Sequence, residues 1–290
     1  MQNYVIITDS TGDLSEALVK EMDVTVLPMS FSIGEKSYKN YPDNHELSAE
    51  DFYAMLRAGA MSTTAQLNTA AYLDAATPFL EAGQDVLFLV FSSGLSGSYN
   101  SSRMAVEDLR EKFPDRKIRT VDTLAASMGE GLLVWHAAMR RKAGQSLDEV
   151  ADWTEANRNH LCHWFTVDDL HFLRRGGRVS GAAAVMGTML NIKPVLHVDD
   201  EGHLIPMEKV RGRRQSLDAL VRHLDETITE GENATIFLSH GDCAEDAEYV
   251  ASKLRGRHGI ERVEINFIGP VIGSHSGPGT VALFWMGSKK

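Results

Sequence analysis

The chain is poor in cysteine: Cys162 and Cys243 are the two thiols in 290 residues. Two thiols give no disulfide framework, and a reducing cytoplasm is the natural compartment. Long apolar runs are also missing. None approaches the roughly 18–20 residues that a membrane span needs, so stable membrane insertion is not expected. The N-terminal stretch MQNYVIITDSTGD has no basic region and meets Asp9 early, which argues against a signal peptide. Basic charge is in deficit, with 29 Lys and Arg against 40 Asp and Glu, for a formal net charge of −11. That balance excludes a general nucleic-acid binder, whose affinity rests on neutralising phosphates. It equally excludes docking on an anionic membrane by charge alone. There is no GxxxxGK[ST] loop, no GxGxxG after a strand and no GxSxG elbow. His160, Cys162 and His163 lie close together, but their spacing within a strand or its approach makes poor metal geometry, so no metal site is expected.

What is present is ordinary globular composition, 43% hydrophobic and 24% charged, on a chain long enough for two cores. YVII, ending at Thr8-Asp9-Ser10, reads as a buried strand and a polar turn. DVLFLVF has six consecutive apolar residues, the mark of a strand covered on both faces of a parallel sheet. Helical periodicity follows each of these runs, and KIRTVDT and GEGLLVWHAAMRRKAG continue the alternation. The pattern predicts an α/β protein whose N-terminal domain is a parallel sheet flanked by helices. After about residue 158 it changes. PVLHVDDEGHLIPMEKV reads as a hairpin turning at Asp200-Glu201-Gly202, and RVEINFIG and TVALFWMG close the chain as strands. The expectation is two domains, 1–158 and 159–290, the second mixed α/β, with a ligand in the cleft between them.

Four motifs carry chemistry. FSSGLSGSYNSS, 91–102, follows a strand and opens a helix, where free amides and the helix dipole favour an anion. Ser93 and Ser96 add hydroxyls, and Gly94 lets the backbone come close. The bland alternative is a plain Ser/Gly turn. MSTTAQLN, 61–68, is a hydroxyl-rich turn before a helix, in which Thr63 or Thr64 is either an N-cap or a second hydroxyl on the same anion. In DDLHFLRRGGRVSGAAAVMGTMLNIKPVL, 168–196, Arg174, Arg175 and Arg178 surround Gly176-Gly177. Residues 182–192 are apolar on nearly every face, so they need cover from all sides, either protein or a lipid chain. Ala183 is small, and Met186 and Met189 adapt to a mobile tail. IGPVIGSHSGPG, 268–279, reads as a small-residue loop in which His275 faces either ligand or solvent. The cluster His240, Asp242, Cys243 reads as a strand-to-helix turn with Asp242 as N-cap.

With IITDSTGDL, TTAQ, FSSGLSGSYNSS, VDTLAASMGEGLL, DDLHFLRRGGRVSG with NIKPVL, and IGPVIGSHSGPG in that order, the sequence resembles the DegV family. These fatty-acid-binding proteins include the FakB subunits of bacterial fatty acid kinase. The family commonly has TSQPS where this chain has TAQLN, so Ala65, Leu67 and Asn68 depart from it while Thr64 remains. The resemblance implies one long-chain fatty acid buried between two α/β domains and no other cofactor. It implies a carboxylate held by hydroxyls matching Thr64 and Ser93, with His275 near it. It further implies a non-catalytic subunit that presents the carboxylate to an ATP-dependent kinase for acyl-phosphate formation and phospholipid synthesis. Arg174, Arg175 and Arg178, and more weakly Arg211 and Arg213, are then partner or phosphate contacts.

Physical chemistry supports a lipid independently. Burying each CH₂ gains about 0.8 kcal/mol, so a sixteen-carbon tail offers roughly 11–12 kcal/mol gross, before the entropic cost of association. The head group then needs only to orient the chain, and neutral hydroxyls suffice. The competing class is a stand-alone Ser/His hydrolase or phosphotransferase pairing Ser93 with His275, for which no acidic orienting partner is evident. A third reading is a regulatory protein that senses lipid.

Overall fold

The structure is a computed structural model that describes residues 3–179 and 191–290. In chain order the elements are β1 Tyr4–Asp9, α1 Glu16–Met22, β2 Thr25–Leu27, β3 Ser30–Ile33, β4 Lys36–Lys39 and α2 Ala49–Arg57. β5 Ser62–Ala65, α3 Thr69–Glu81, β6 Asp85–Val90, α4 Ser98–Lys112, β7 Ile118–Asp122, α5 Met128–Lys142 and α6 Leu147–Asn157 follow. The second half holds β8 Leu161–Thr166, α7 His171–Gly176, β9 Ile192–Val198, β10 Leu204–Arg211 and α8 Arg213–Thr227. It closes with β11 Thr235–His240, α9 Ala244–Leu254, β12 Arg262–Phe267, α10 Pro270–Ser276 and β13 Val281–Met286.

A parallel sheet in the order β2-β1-β6-β7 forms the N-terminal half. The continuous apolar run of β6 is buried from Val86 to Val90, as a central strand covered on both faces requires. A mixed sheet, β10-β9-β8-β13-β11-β12, forms the C-terminal half, parallel at β11–β12 and antiparallel elsewhere. The hairpin expected at Asp200–Gly202 is the β9–β10 connection. A small antiparallel sheet, β4-β3-β5, completes the fold.

Local chemistry sets several boundaries. Ser48 Oγ accepts from Asp51 N at the start of α2, and Ser146 with Glu149 forms a reciprocal capping box at α6. Three sequence expectations are corrected. The stretch at Thr63 and Thr64 is strand β5, and the cap of the next helix is Asn68, whose Oδ1 accepts from Ala71 N. IGPVIGSHSG is a short helix rather than a loop, with Pro270 at its first position, where a missing N–H costs nothing. Asp242 does not cap α9 either. Its backbone is left-handed and its carboxylate is held by Arg57.

Helix α5 joins the halves. Leu132, Leu133, Val134, Ala137 and Ala138 are buried in one cluster that also takes in Phe165, Phe237, Ala282 and Phe284 of the C-terminal sheet. Its first turn approaches both sides closely. A Cβ on Gly131 would stand 2.7 Å from Gly12 O, and one on Gly129 would stand 2.3 Å from His163 Nε2. Side chains at these positions would force the halves apart. Among the described residues, no helix is long and apolar enough to cross a membrane.

Candidate functional site

Between the two sheets lies a cavity of about 290 Å³. That is near the lower end of small-molecule pockets, which run from about 300 Å³ upward. The wall is mostly apolar. Phe165 of β8 and Ala282 and Phe284 of β13 project from one face of the C-terminal sheet, and Phe91, Leu95 and Ala126 come from the loops after β6 and β7. Alternation along a strand puts every second residue on one face, so Thr280, Ala282 and Phe284 follow the cavity for about 13 Å, at about 3.3 Å per residue. His163 sits opposite Phe284 in register, far from α10, which precedes Thr280.

The polar end is built by β5 and α10. Thr64 Oγ1 lies 2.8 Å from His275 Nε2. Beside it, the Ser274 hydroxyl donates to Pro270 O at 2.6 Å, so at the 2.7 Å contact Ser62 donates to Ser274. These bonds lock the last turn of α10 onto the strand. Burial, with Arg178 and Arg175 nearby, pushes the His275 imidazole down to about 4, so it is neutral at pH 7. His275 Nδ1 is buried with no hydrogen-bond partner among the described residues. It rests against Gly176, where a Cβ would stand 2.2 Å from it. A single imidazole proton assigned to Nε2 donates to Thr64 Oγ1, and the threonine proton is then free to serve an acceptor in the cavity. Gln66, Ser96, Arg178, Ser276 and Thr280 line the same space.

Of the residues singled out in the sequence, the fold brings Thr64, Ser96, Arg178 and His275 to this cavity. Ser93 and Gly94 do not line it. Ser93 is exposed, with its N–H donating to Asp122 Oδ1, and Gly94 abuts the Glu201–Gly202 turn. Two amides at the expected anion seat, where α4 begins, already have partners. Gly97 N donates to Gln66 Oε1 at 3.1 Å and Ser98 N to Ser96 Oγ at 3.2 Å. Arg174 and Arg175 are exposed at the end of α7, the latter with its guanidinium 4.9 Å from the Phe172 ring centre. Arg211 is exposed at the end of β10, away from the cavity lining. Arg213 bonds Asp246 and does not line the cavity. Ala183, Met186 and Met189 lie outside the described residues. Sequence reasoning missed Ser127, His163, Phe165, Ser276 and Phe284, and the alternation on β8 and β13 is the signal that finds the strand residues.

His163 is fully buried, its Nδ1 lies 3.1 Å from Leu161 O, and burial pushes it well below the usual histidine range. Together with His275 this leaves Arg178 as the one cation among the described lining residues. Both cysteines are free, with thiols pushed up by burial to about 12, which makes them poor nucleophiles.

The DegV family model matches residues 3–288. A DegV domain-containing protein of Clostridium perfringens is 45% identical over 290 residues, covering 100% of this chain and 99% of that protein. A DegV family protein of Thermus thermophilus, whose structure is described by its fatty acid binding, has a TM-score of 0.85 at 29% identity, covering 98% of this chain and 99% of its own. A DegV lipid-binding protein of Thermotoga maritima has a TM-score of 0.87 at 28% identity over 100% of both chains. DegV of Bacillus subtilis, described as a fatty acid binding protein, has a TM-score of 0.83 at 25% identity, covering 99% of this chain and 100% of its own.

Proposed function

The chain belongs to the DegV family, and on that premise we propose that it holds one long-chain fatty acid in the cavity between its sheets. The observation that carries this reading is the wall itself: a mostly apolar passage that ends on a neutral hydroxyl–imidazole pair. An acyl tail fits the apolar part, and its carboxylate accepts from Thr64 at the α10 end, with Ser96 as a second hydroxyl and Arg178 as the nearby cation. Ser93, exposed on the same turn, is the remaining hydroxyl of the set. Removing a hydrogen bond to a charged group costs about 1.5–3 kcal/mol, so Thr64→Val is expected to weaken palmitate binding by about tenfold to a hundredfold by calorimetry. Comparing Ser93→Ala with Ser96→Ala assigns the serine, and the lining position favours the larger loss at Ser96.

A carboxylate at that end lies near Arg178 and Arg175, which act on His275, and Arg174 is exposed on the same short helix, together a basic rim suited to an ATP-using kinase subunit and its phosphates. In this reading the protein presents the acid in a reducing cytoplasm and the partner makes the acyl phosphate, the first step toward phospholipid. The test is reconstitution with that kinase, ATP and palmitate. Acyl phosphate trapped with hydroxylamine supports the reading, and Arg175→Gln is expected to lower the rate by a larger factor than it lowers palmitate affinity. The hydrolase reading finds little in the geometry. His275 bonds Thr64 rather than Ser93 or Ser96, and its Nδ1 faces Gly176 instead of a carboxylate.

A further inference from the structure

The motif IITDSTGD has no atom in the acyl seat proposed above, yet its carboxyls reach three of the segments that build the cavity. Asp9 Oδ2 accepts from Phe91 N at 3.3 Å, at the start of the FSSGLSG turn. Asp13, with a left-handed backbone at φ 48°, is bonded on three sides. Its Oδ1 accepts from Gly269 N at 2.9 Å, the residue that opens α10. Its Oδ2 accepts from the Ser127 hydroxyl at 2.5 Å, and its main-chain oxygen accepts from Asn266 Nδ2 at 2.8 Å, at the end of β12. Ser127 lines the cavity and lies 2.8 Å from Ser239 Oγ on β11. Ser127 too has a left-handed φ, 54°, a conformation that non-glycine residues hold only when their surroundings fix it.

One side chain therefore spans two walls. On one side stands the loop that carries Ser127. On the other stands the N-terminus of α10, which carries Ile272, His275 and Ser276 to the cavity. The approach leaves no slack, because a Cβ on Gly269 would stand 2.7 Å from Asp13 Oδ1 and 3.0 Å from Asn40 Nδ2.

We propose that Asp13 is a positioning residue for acyl recognition: by tying Gly269 to Ser127 it sets where α10 places His275 against Thr64. It touches no ligand and acts through α10. Burial pushes its carboxyl up to about 8. An asparagine keeps both ties with the Ser127 contact reversed: Oδ1 takes the Gly269 amide, and Nδ2 donates to the Ser127 hydroxyl, whose own proton then serves Ser239.

This inference rests on the fatty-acid reading for its affinity readout but not for its structural one. The test uses the full chain with palmitic acid as probe, calorimetry for affinity, and the ring signals of ¹³C-labelled His275 in ligand-free protein. Asp13→Ala is expected to shift the His275 signals and weaken palmitate about tenfold, the scale of one misplaced hydrogen bond to a charged group. Asp13→Asn is expected to leave the signals in place and the affinity within about threefold. Gly269→Ala, which deletes no contact but forces the junction open, is expected to resemble Asp13→Ala. Folded Asp13→Ala with unshifted His275 and wild-type affinity overturns the proposal. If that variant does not fold, the same result for Gly269→Ala overturns it. Wild-type protein that ignores palmitate sinks the fatty-acid reading alone, since the His275 signals still report on the junction.

Discussion

Ala282→Trp is expected to weaken fatty-acid binding about a hundredfold while the protein remains folded. Ala282 is 5% exposed, sits near the start of β13 on its cavity face, and lines the passage midway between Thr280 and Phe284. An indole placed there occupies space that the acyl chain would otherwise fill. Denying burial to three or four methylenes, at about 0.8 kcal/mol each, removes about 3 kcal/mol, or roughly a hundredfold in affinity. Because the ring enters existing free volume, the overpacking penalty stays at or below the usual range of about 1–3 kcal/mol. Calorimetry with palmitate measures the affinity, and circular dichroism with thermal melting measures the fold. Wild-type affinity in a folded variant would place the ligand elsewhere.

The second large effect is on stability against pH. Asp9, Asp13 and Glu130 are buried together at the end of β1 and the first turn of α5. The Thr11 hydroxyl lies within hydrogen-bond reach of both Asp9 Oδ1 and Glu130 Oε2, at 2.7 Å from the latter. One hydroxyl proton cannot serve two ionised oxygens, so one of the two carboxyls carries a proton. Burial raises all three, with Glu130 well above its ordinary value and Asp13 up to about 8. Below about pH 4 these acids are protonated in both folded and unfolded chains, and their contribution to stability is fully present. As pH rises, the unfolded chain ionises first, and stability is lost until the folded Asp13 ionises near 8. Half-buried acids in ion pairs run the other way. Asp148 and Asp218 are lowered, the first by its hydrogen bond to Lys117, the second by Lys253 and Tyr249 against the opposing effect of desolvation. They lose their contribution as pH falls below about 4.

Stability should therefore peak in mild acid, near pH 5, and decline toward pH 8. Glu130→Gln fits the same contacts, with Oε1 accepting from Thr8, now 3.0 Å from Glu130 Oε1, and Nε2 donating to Thr11. It is expected to raise stability at pH 8, where the unfolded chain's Glu130 is ionised and the buried one resists ionising. Little change is expected at pH 4. Urea melts across pH 4–9 measure this, and a wild-type curve that rises from pH 5 to 8 would contradict it.

The division into a parallel and a mixed sheet was legible in the sequence because β6 and the β9–β10 hairpin carry their own signals, a two-faced apolar run and an Asp-Glu-Gly turn. The helix at Pro270–Ser276 was not. Its glycines and serines have low helix propensity, and what holds it is tertiary: Asp13 at its start and Ser62 and Thr64 along its side. Thr64 and His275 were recognisable as types, but their 2.8 Å contact joins residues 211 positions apart and depends on β5 pairing with β3. Ser93 and Ser96 differ for a reason no spacing reveals. The turn after β6 points one outward and the other inward, while Ser92 between sheet and hairpin donates to Gly202 O. The acids of the N-terminal motif looked like a polar turn, and only the packed structure exposes them as a buried junction.

Native mass spectrometry of the purified chain, before and after incubation with palmitic acid, tests the central claim most directly. One acyl mass per chain, with occupancy reduced in both Ala282→Trp and Thr64→Val, is the predicted result. A chain that stays at its bare mass throughout, with palmitate present in excess, would contradict it.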